Sequence, residues 1–163
     1  MFNVFQIELN DAMYNEVNSH PDSWNGVKWG KTYCDLTFGS WHSEEELVVL
    51  VRRAMLFGLV KHTMTVDCEE LEQVYALGNG MGDQARVTNH MRHKSVSVGD
   101  IVLRTDLRGG AVVARMGFTL IGEQFTREIE SVVSDKFQFF VQVFLIPFPL
   151  GFDELPLVYY IYH

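Results

Sequence analysis

His90-Met91-Arg92-His93-Lys94-Ser95-Val96-Ser97-Val98-Gly99-Asp100, continuing into Ile101-Val102-Leu103, is the stretch on which the fold turns. A basic, histidine-containing arm ends in a glycine-punctuated turn and gives way to a β-branched, aliphatic run, so Ser97-Val98-Gly99-Asp100 directs the chain into a strand over residues 101–105. Asp106-Leu107-Arg108-Gly109-Gly110 reads as a hairpin connection, and residues 111–115 as the antiparallel strand that returns from it. A carboxylate that directly follows a glycine in such a turn accepts backbone N–H bonds, which is the role expected of Asp100.

Upstream, Ser43-Glu44-Glu45-Glu46 is a capping box that starts a helix. Leu47, Leu50, Val51, Ala54 and Met55 recur at helical spacing, and Gly58 stands where a left-handed C-terminal residue belongs, so the helix spans residues 44–57. Residues 60–66 alternate with period two, placing Val60, His62, Met64 and Val66 on one face of a strand. Asp67-Cys68-Glu69-Glu70 caps a second helix over 68–77 that ends at Gly78-Asn79-Gly80. Phe2 to Leu9 has strand composition, Asn10 or Asp11 caps a short helical turn through Val17, residues 18–31 read as a loop, and residues 32–38 as a strand. Trp24, Trp29 and Trp41 are expected to lid the core, and residues 80–95 to form an irregular arm. After Gly117-Phe118 come a short strand through Ile121 and a helix over 123–133 with Phe125, Ile129, Val132 and Val133 inward. Residues 137–146 and 157–162 are dense in strand formers; the first run is too short and too interrupted for a membrane span of roughly 20 residues. The fold class is therefore α+β, a mostly antiparallel sheet packed against two or three helices in a single layer on one face. Residues 1–133 make a compact domain, and 134–163 an aromatic C-terminal segment packed on it or forming an oligomer interface through Phe137–Ile146.

The chain has 163 residues, 47% of them hydrophobic and 21% charged, a composition that excludes global disorder and is enough for one substantial core. No basic region followed by an apolar core opens it, so action in a cytosol is expected, with Cys34 and Cys68 as reduced thiols. The net charge of −8 is uneven: residues 80–115 hold six basic and three acidic side chains, whereas residues 1–79 hold five and twelve. An acidic body repels nucleic acid at long range, yet Arg86, Arg92, His93, Lys94, Arg104 and Arg108 offer phosphate contacts, or pair with the chain's own carboxylates.

Catalytic motifs are weak. His90-Met91-Arg92-His93 has a two-imidazole spacing but lacks the four ligands zinc prefers, so no metal and no cofactor is expected. Gly78-Asn79-Gly80-Met81-Gly82 follows a helix instead of opening one and lacks the lysine and hydroxyl of a phosphate loop. Ser95 and Ser97 have no elbow and no base in register. A site of His90, His93 and Asp100 is the enzymatic alternative.

The tract Thr65-Val66-Asp67-Cys68-Glu69-Glu70-Leu71-Glu72-Gln73-Val74-Tyr75-Ala76-Leu77-Gly78-Asn79, then His93-Lys94-Ser95-Val96-Ser97-Val98-Gly99-Asp100-Ile101-Val102 and the pair Gly117-Phe118, resembles a family of small proteins of tailed bacteriophages and mobile elements, similar to the YodL-like domain. The resemblance covers roughly residues 1–120. Lys94 interrupts the expected His-Ser pair, and the tail from Phe137 lies outside the pattern. The resemblance implies no catalytic residues; it implies a non-enzymatic phage accessory protein in the cytoplasm of the infected bacterium that binds and modulates a host or phage protein, for host takeover or as a counter-defence inhibitor. Glu44, Glu45, Glu46, Glu69, Glu70 and Glu72 are the acidic residues expected to engage a basic partner. The alternative is a nucleic-acid-binding module using the basic arm.

Overall fold

The computed structural model describes residues 1–8, 14–15, 18–20, 22 and 24–133, with the side chains of residues 24–27 left aside. Of the helical turn expected from Asn10 or Asp11 through Val17 only residues 14–15 are described, and they are helical; the side chain of Trp24 and the C-terminal strands at 137–146 and 157–162 lie outside the described residues.

The fold is α+β. In chain order it comprises β1 (Phe2–Ile7), α1 (Trp24–Thr37), α2 (Glu44–Leu56), β2 (Val60–Val66), α3 (Leu71–Gly78), a 3-10 turn (Gln84–Arg86), β3 (Val87–Asn89), β4 (Ile101–Arg104), β5 (Gly110–Ala114), β6 (Gly117–Ile121) and α4 (Glu123–Val133). The strands form one sheet in the order β3-β2-β1-β4-β5-β6, and every pairing is antiparallel.

Side chains alternate across a strand, and here both faces of the central strands are apolar. Phe5, Ile7, Ile101, Leu103, Val112 and Ile121 face α1, α2 and α4. Phe2, Val4, Met64, Val66, Val102 and Val113 face the other way, against Val74 and Leu77 of α3 and Val96 of the turn. The expectation of a single helical layer is corrected accordingly: three helices cover one face and α3 lies on the opposite one. The cause is legible in β4 and β5, whose Ile-Val-Leu and Ala-Val-Val runs are buried throughout and need cover on both faces.

The caps behave as their residues dictate. Ser43 Oγ accepts from Glu46 N at 3.2 Å, Glu46 Oε2 accepts from His42 N at 2.8 Å, and Leu47, Leu50, Val51, Ala54 and Met55 are buried. Gly58 sits at φ +69° just past the helix end. Helix α3 begins at Leu71, with Gln73 Oε1 accepting from Glu69 N and Glu70 N.

Three other expectations fail. Residues 24–37 are one helix where a loop and a strand were expected: Trp29, Thr32 and Leu36 are its buried face, a helical spacing that the strand-favouring Tyr33 and Phe38 and the punctuating Gly26 and Gly30 obscure. The arm at 80–95 is not irregular throughout, since Val87–Asn89 pairs with β2 as an edge strand. The even alternation of β2 is also broken. Val4 pairs with Met64 and Phe5 with His62, leaving Thr63 as the extra residue of a β-bulge. Val60 and His62 therefore share the face of Phe5, while Met64 and Val66 share that of Val4.

Candidate functional site

The turn 95–100 is an anchor built on a buried carboxylate. Asp100 is 2% exposed; its Oδ2 accepts from Gln6 Nε2 at 2.9 Å and from Ser97 N at 3.0 Å. Gln6, fully buried on β1, also donates to Lys94 O at 3.0 Å and Ser95 O at 3.4 Å. Burial pushes the Asp100 carboxyl up to about 6, against the opposing pull of its Gln6 and Ser97 donors and of Lys94. Gly99, at φ +96°, lies so close beneath Leu36 that a Cβ there would stand 2.9 Å from the Leu36 carbonyl oxygen. The turn role read for Asp100 is thus what the geometry supplies, and Gln6 is the partner that sequence reading missed: a polar residue between Phe5 and Ile7 in a strand of otherwise mostly apolar residues was the available signal.

Beside this anchor lies a cleft of about 430 Å³ lined by Glu72 and Tyr75 of α3, Val96 and Val98 of the turn, and Arg115 and Phe118 of the β5–β6 hairpin. Around it, large apolar side chains meet solvent: Tyr75 is 45% exposed, Leu120 68% and Met116 99%. Phe118 and Leu120 pair with Val113 and Ala111, which places both on the α3 side of the sheet. Gly78 admits Val96 to this region, because a Cβ at Gly78 would stand 2.7 Å from Val96 Cγ2.

The structure divides both charged groups named from the sequence. Glu44, Glu45 and Glu46 open α2, where Glu45 and Glu46 line a separate open cleft with Lys31 and Arg53. Glu69, Glu70 and Glu72 open α3 on the opposite face, and of these Glu72 lines the apolar cleft. Among the cations, Arg86 adjoins the start of β3 and Arg104 ends β4, which puts both with Arg108 at the end of the sheet where β1 begins. Arg92, His93 and Lys94 follow β3 toward the other end, where Lys94 O meets Gln6. Arg104 is paired with Asp106 at 2.7 Å, a bond that holds the Asp106 carboxyl down to about 2.

His90, His93 and Asp100 are not assembled as one site. His93 Nδ1 contacts Lys94 O at 3.0 Å, Asp100 is engaged by Gln6 and Ser97, and His90 turns instead to His62, with ring centroids 4.3 Å apart. Among the described residues no group of three or more His, Cys, Asp or Glu side chains is placed to hold a metal ion. Both cysteines are free, Cys34 exposed and Cys68 buried, and burial pushes the Cys68 thiol up. No helix of the described residues is long and apolar enough to cross a membrane. Comparison with family models, curated proteins and solved structures gives no match to the chain.

Proposed function

We propose that this chain is a non-enzymatic binding module that engages another protein through the apolar cleft beside the turn 95–100. The observation that carries the reading is the exposure of Tyr75, which lines that cleft, together with that of Met116 and Leu120 on the β5–β6 hairpin whose Phe118 also lines it, since scattered apolar residues need no explanation but a group of them beside a groove marks a contact surface. Glu72 at the cleft, with Glu69 and Glu70 on the same helix start, fits a partner segment that carries an apolar side chain flanked by basic residues, and matched potentials of this kind select partners and speed their association. The resemblance to small tailed-phage proteins supports placing that partner among host or phage proteins, with the chain acting as a takeover or counter-defence inhibitor in the cytoplasm of the infected bacterium.

The experiment is capture from host lysate by the full chain, by Leu120→Glu and by the triple charge reversal of Glu69, Glu70 and Glu72 to Lys. A specific partner retained by the natural chain and lost by both variants, with the charge-reversed one failing at low salt, is the expected result. Equal retention by all three removes the cleft as the contact surface.

A further inference from the structure

The bulge in β2 has a chemical result. In an unbroken strand residues 62 and 65 point to opposite faces; the extra residue Thr63 re-aims His62 so that both meet on the face of Phe5, and bulges recur where a side chain must be re-aimed at a site. There the Thr65 Oγ1 stands 3.3 Å from His62 Nε2, 2.7 Å from His90 Nε2 and 2.7 Å from Asn3 Oδ1, while His62 Nε2 is 3.1 Å from Met64 O. Two imidazole nitrogens and the Asn3 amide oxygen, from β2, the residue after β3 and β1, therefore surround the Thr65 hydroxyl within 3.3 Å.

We propose that His62, His90, Asn3 and Thr65 form a binding site for a divalent transition-metal ion. Metal bonds of about 2.0–2.1 Å place neighbouring donor atoms roughly 2.9 Å apart in an octahedron and 3.4 Å apart in a tetrahedron, and the separations of 2.7 to 3.3 Å around Thr65 Oγ1 lie close to that range. Without metal, the single Thr65 hydroxyl hydrogen goes to Asn3 Oδ1, so the imidazoles present Nε2–H toward Thr65. With metal, each ring carries its proton on Nδ1 and offers the Nε2 lone pair, a tautomer change that releases no proton from a neutral ring. His90 is exposed, which gives the ion a route in. Two imidazoles completed by neutral oxygens and water suit Cu²⁺, Ni²⁺ or Zn²⁺ and disfavour Mg²⁺, whose coordination calls for charged oxygens.

The test is calorimetric titration of the full chain with CuCl2, ZnCl2 and MgCl2, with the Cu²⁺ complex examined by electron paramagnetic resonance. Expected are one equivalent of Cu²⁺ or Zn²⁺ bound, no heat with Mg²⁺, and hyperfine structure from two nitrogens. Because each imidazole is half of the strong ligand set, His90→Ala and His62→Gln should each weaken binding about ten-fold or more, roughly 1.4 kcal/mol, while His93→Ala leaves it unchanged. His90 is exposed, so its variant keeps the fold, and unchanged circular dichroism verifies that. No binding by the natural chain, or binding that survives both His90→Ala and His62→Gln, overturns the proposal.

Discussion

Replacing Asp100 by Asn separates two roles of the buried carboxyl, hydrogen-bond acceptor and charge. In the folded chain burial raises its pKa from 3.8 to about 6, so between those values the native state binds more protons than the unfolded one. Stability linked to this group therefore falls as pH rises from about 4 to about 6 and is level beyond. At 1.36 kcal/mol per pH unit, a shift of this size makes the ionised form cost the folded state about 3 kcal/mol at neutral pH. An Asn side chain keeps an acceptor for Gln6 Nε2 or Ser97 N without the charge. Gln6 Oε1, which has no hydrogen-bond partner among the described residues, offers an acceptor to the new amide. Asp100→Asn is therefore expected to be more stable than the natural chain at pH 7.5 by up to about 3 kcal/mol, with the advantage shrinking between pH 6 and pH 4. Urea denaturation of both chains at pH 7.5, 6, 5 and 4 measures it, and the difference between them cancels the titration of every other carboxylate. A variant less stable than the natural chain at pH 7.5, with a difference independent of pH, would refute the account and assign the turn's strength to the charge itself.

Gly99→Ala puts a Cβ 2.9 Å from the Leu36 carbonyl oxygen at a φ of +96°, so it should lose roughly 2 kcal/mol or more, read as a lower urea midpoint at unchanged slope. Ile129→Ala empties a fully buried position of α4 against the three-helix face and should cost about 2–5 kcal/mol by thermal denaturation. Ser43→Ala removes the hydroxyl that accepts Glu46 N; a loss of about 1 kcal/mol is expected, and an unchanged midpoint would deny the cap its role. Leu120→Glu, at a site 68% exposed, should leave stability within about 0.5 kcal/mol, which is what qualifies it as a probe of binding.

What could be read from the sequence is what depends on neighbours along the chain. The Ser43 cap, the stripe of Leu47, Leu50, Val51, Ala54 and Met55, the left-handed Gly58, the hairpin around Asp106 to Gly109 and the inward face of α4 are all set by local spacing and turn chemistry. Helix α1 escaped because its two glycines mimic loop punctuation and its buried face carries the strand-favouring Thr32 beside Trp29 and Leu36. Strand β3 is only three residues long and exists through its pairing with Met64, Thr65 and Val66. The bulge at Thr63 adds a residue to β2 but changes nothing in the composition of that strand, so the meeting of His62 with His90, 28 positions away in the sequence, was hidden from any periodicity.

The unequal cover of the two sheet faces explains where the cleft falls. Six strands about 4.8 Å apart make a surface roughly 24 Å wide, and a helix about 10 Å across covers about two of them. On one face α1, α2 and α4 are enough. On the other, α3 has eight residues and sits over Val4, Met64, Val66 and Val102, so among the described residues the cover toward β5 and β6 is supplied by the turn at Val96. That turn is fixed from below by Gln6 and Asp100, and it stops short of Leu120. The cleft is the space between a helix too narrow to span the sheet and a hairpin whose outer strand carries Phe118 and Leu120 on the same side. Widening the cover from within, by placing bulk in the cleft with Phe118→Trp, at a lining position on the α3 side of the sheet, should fill the groove and weaken partner capture while leaving the opposite core intact. A chain so filled that still captured its partner at full strength would place the contact elsewhere.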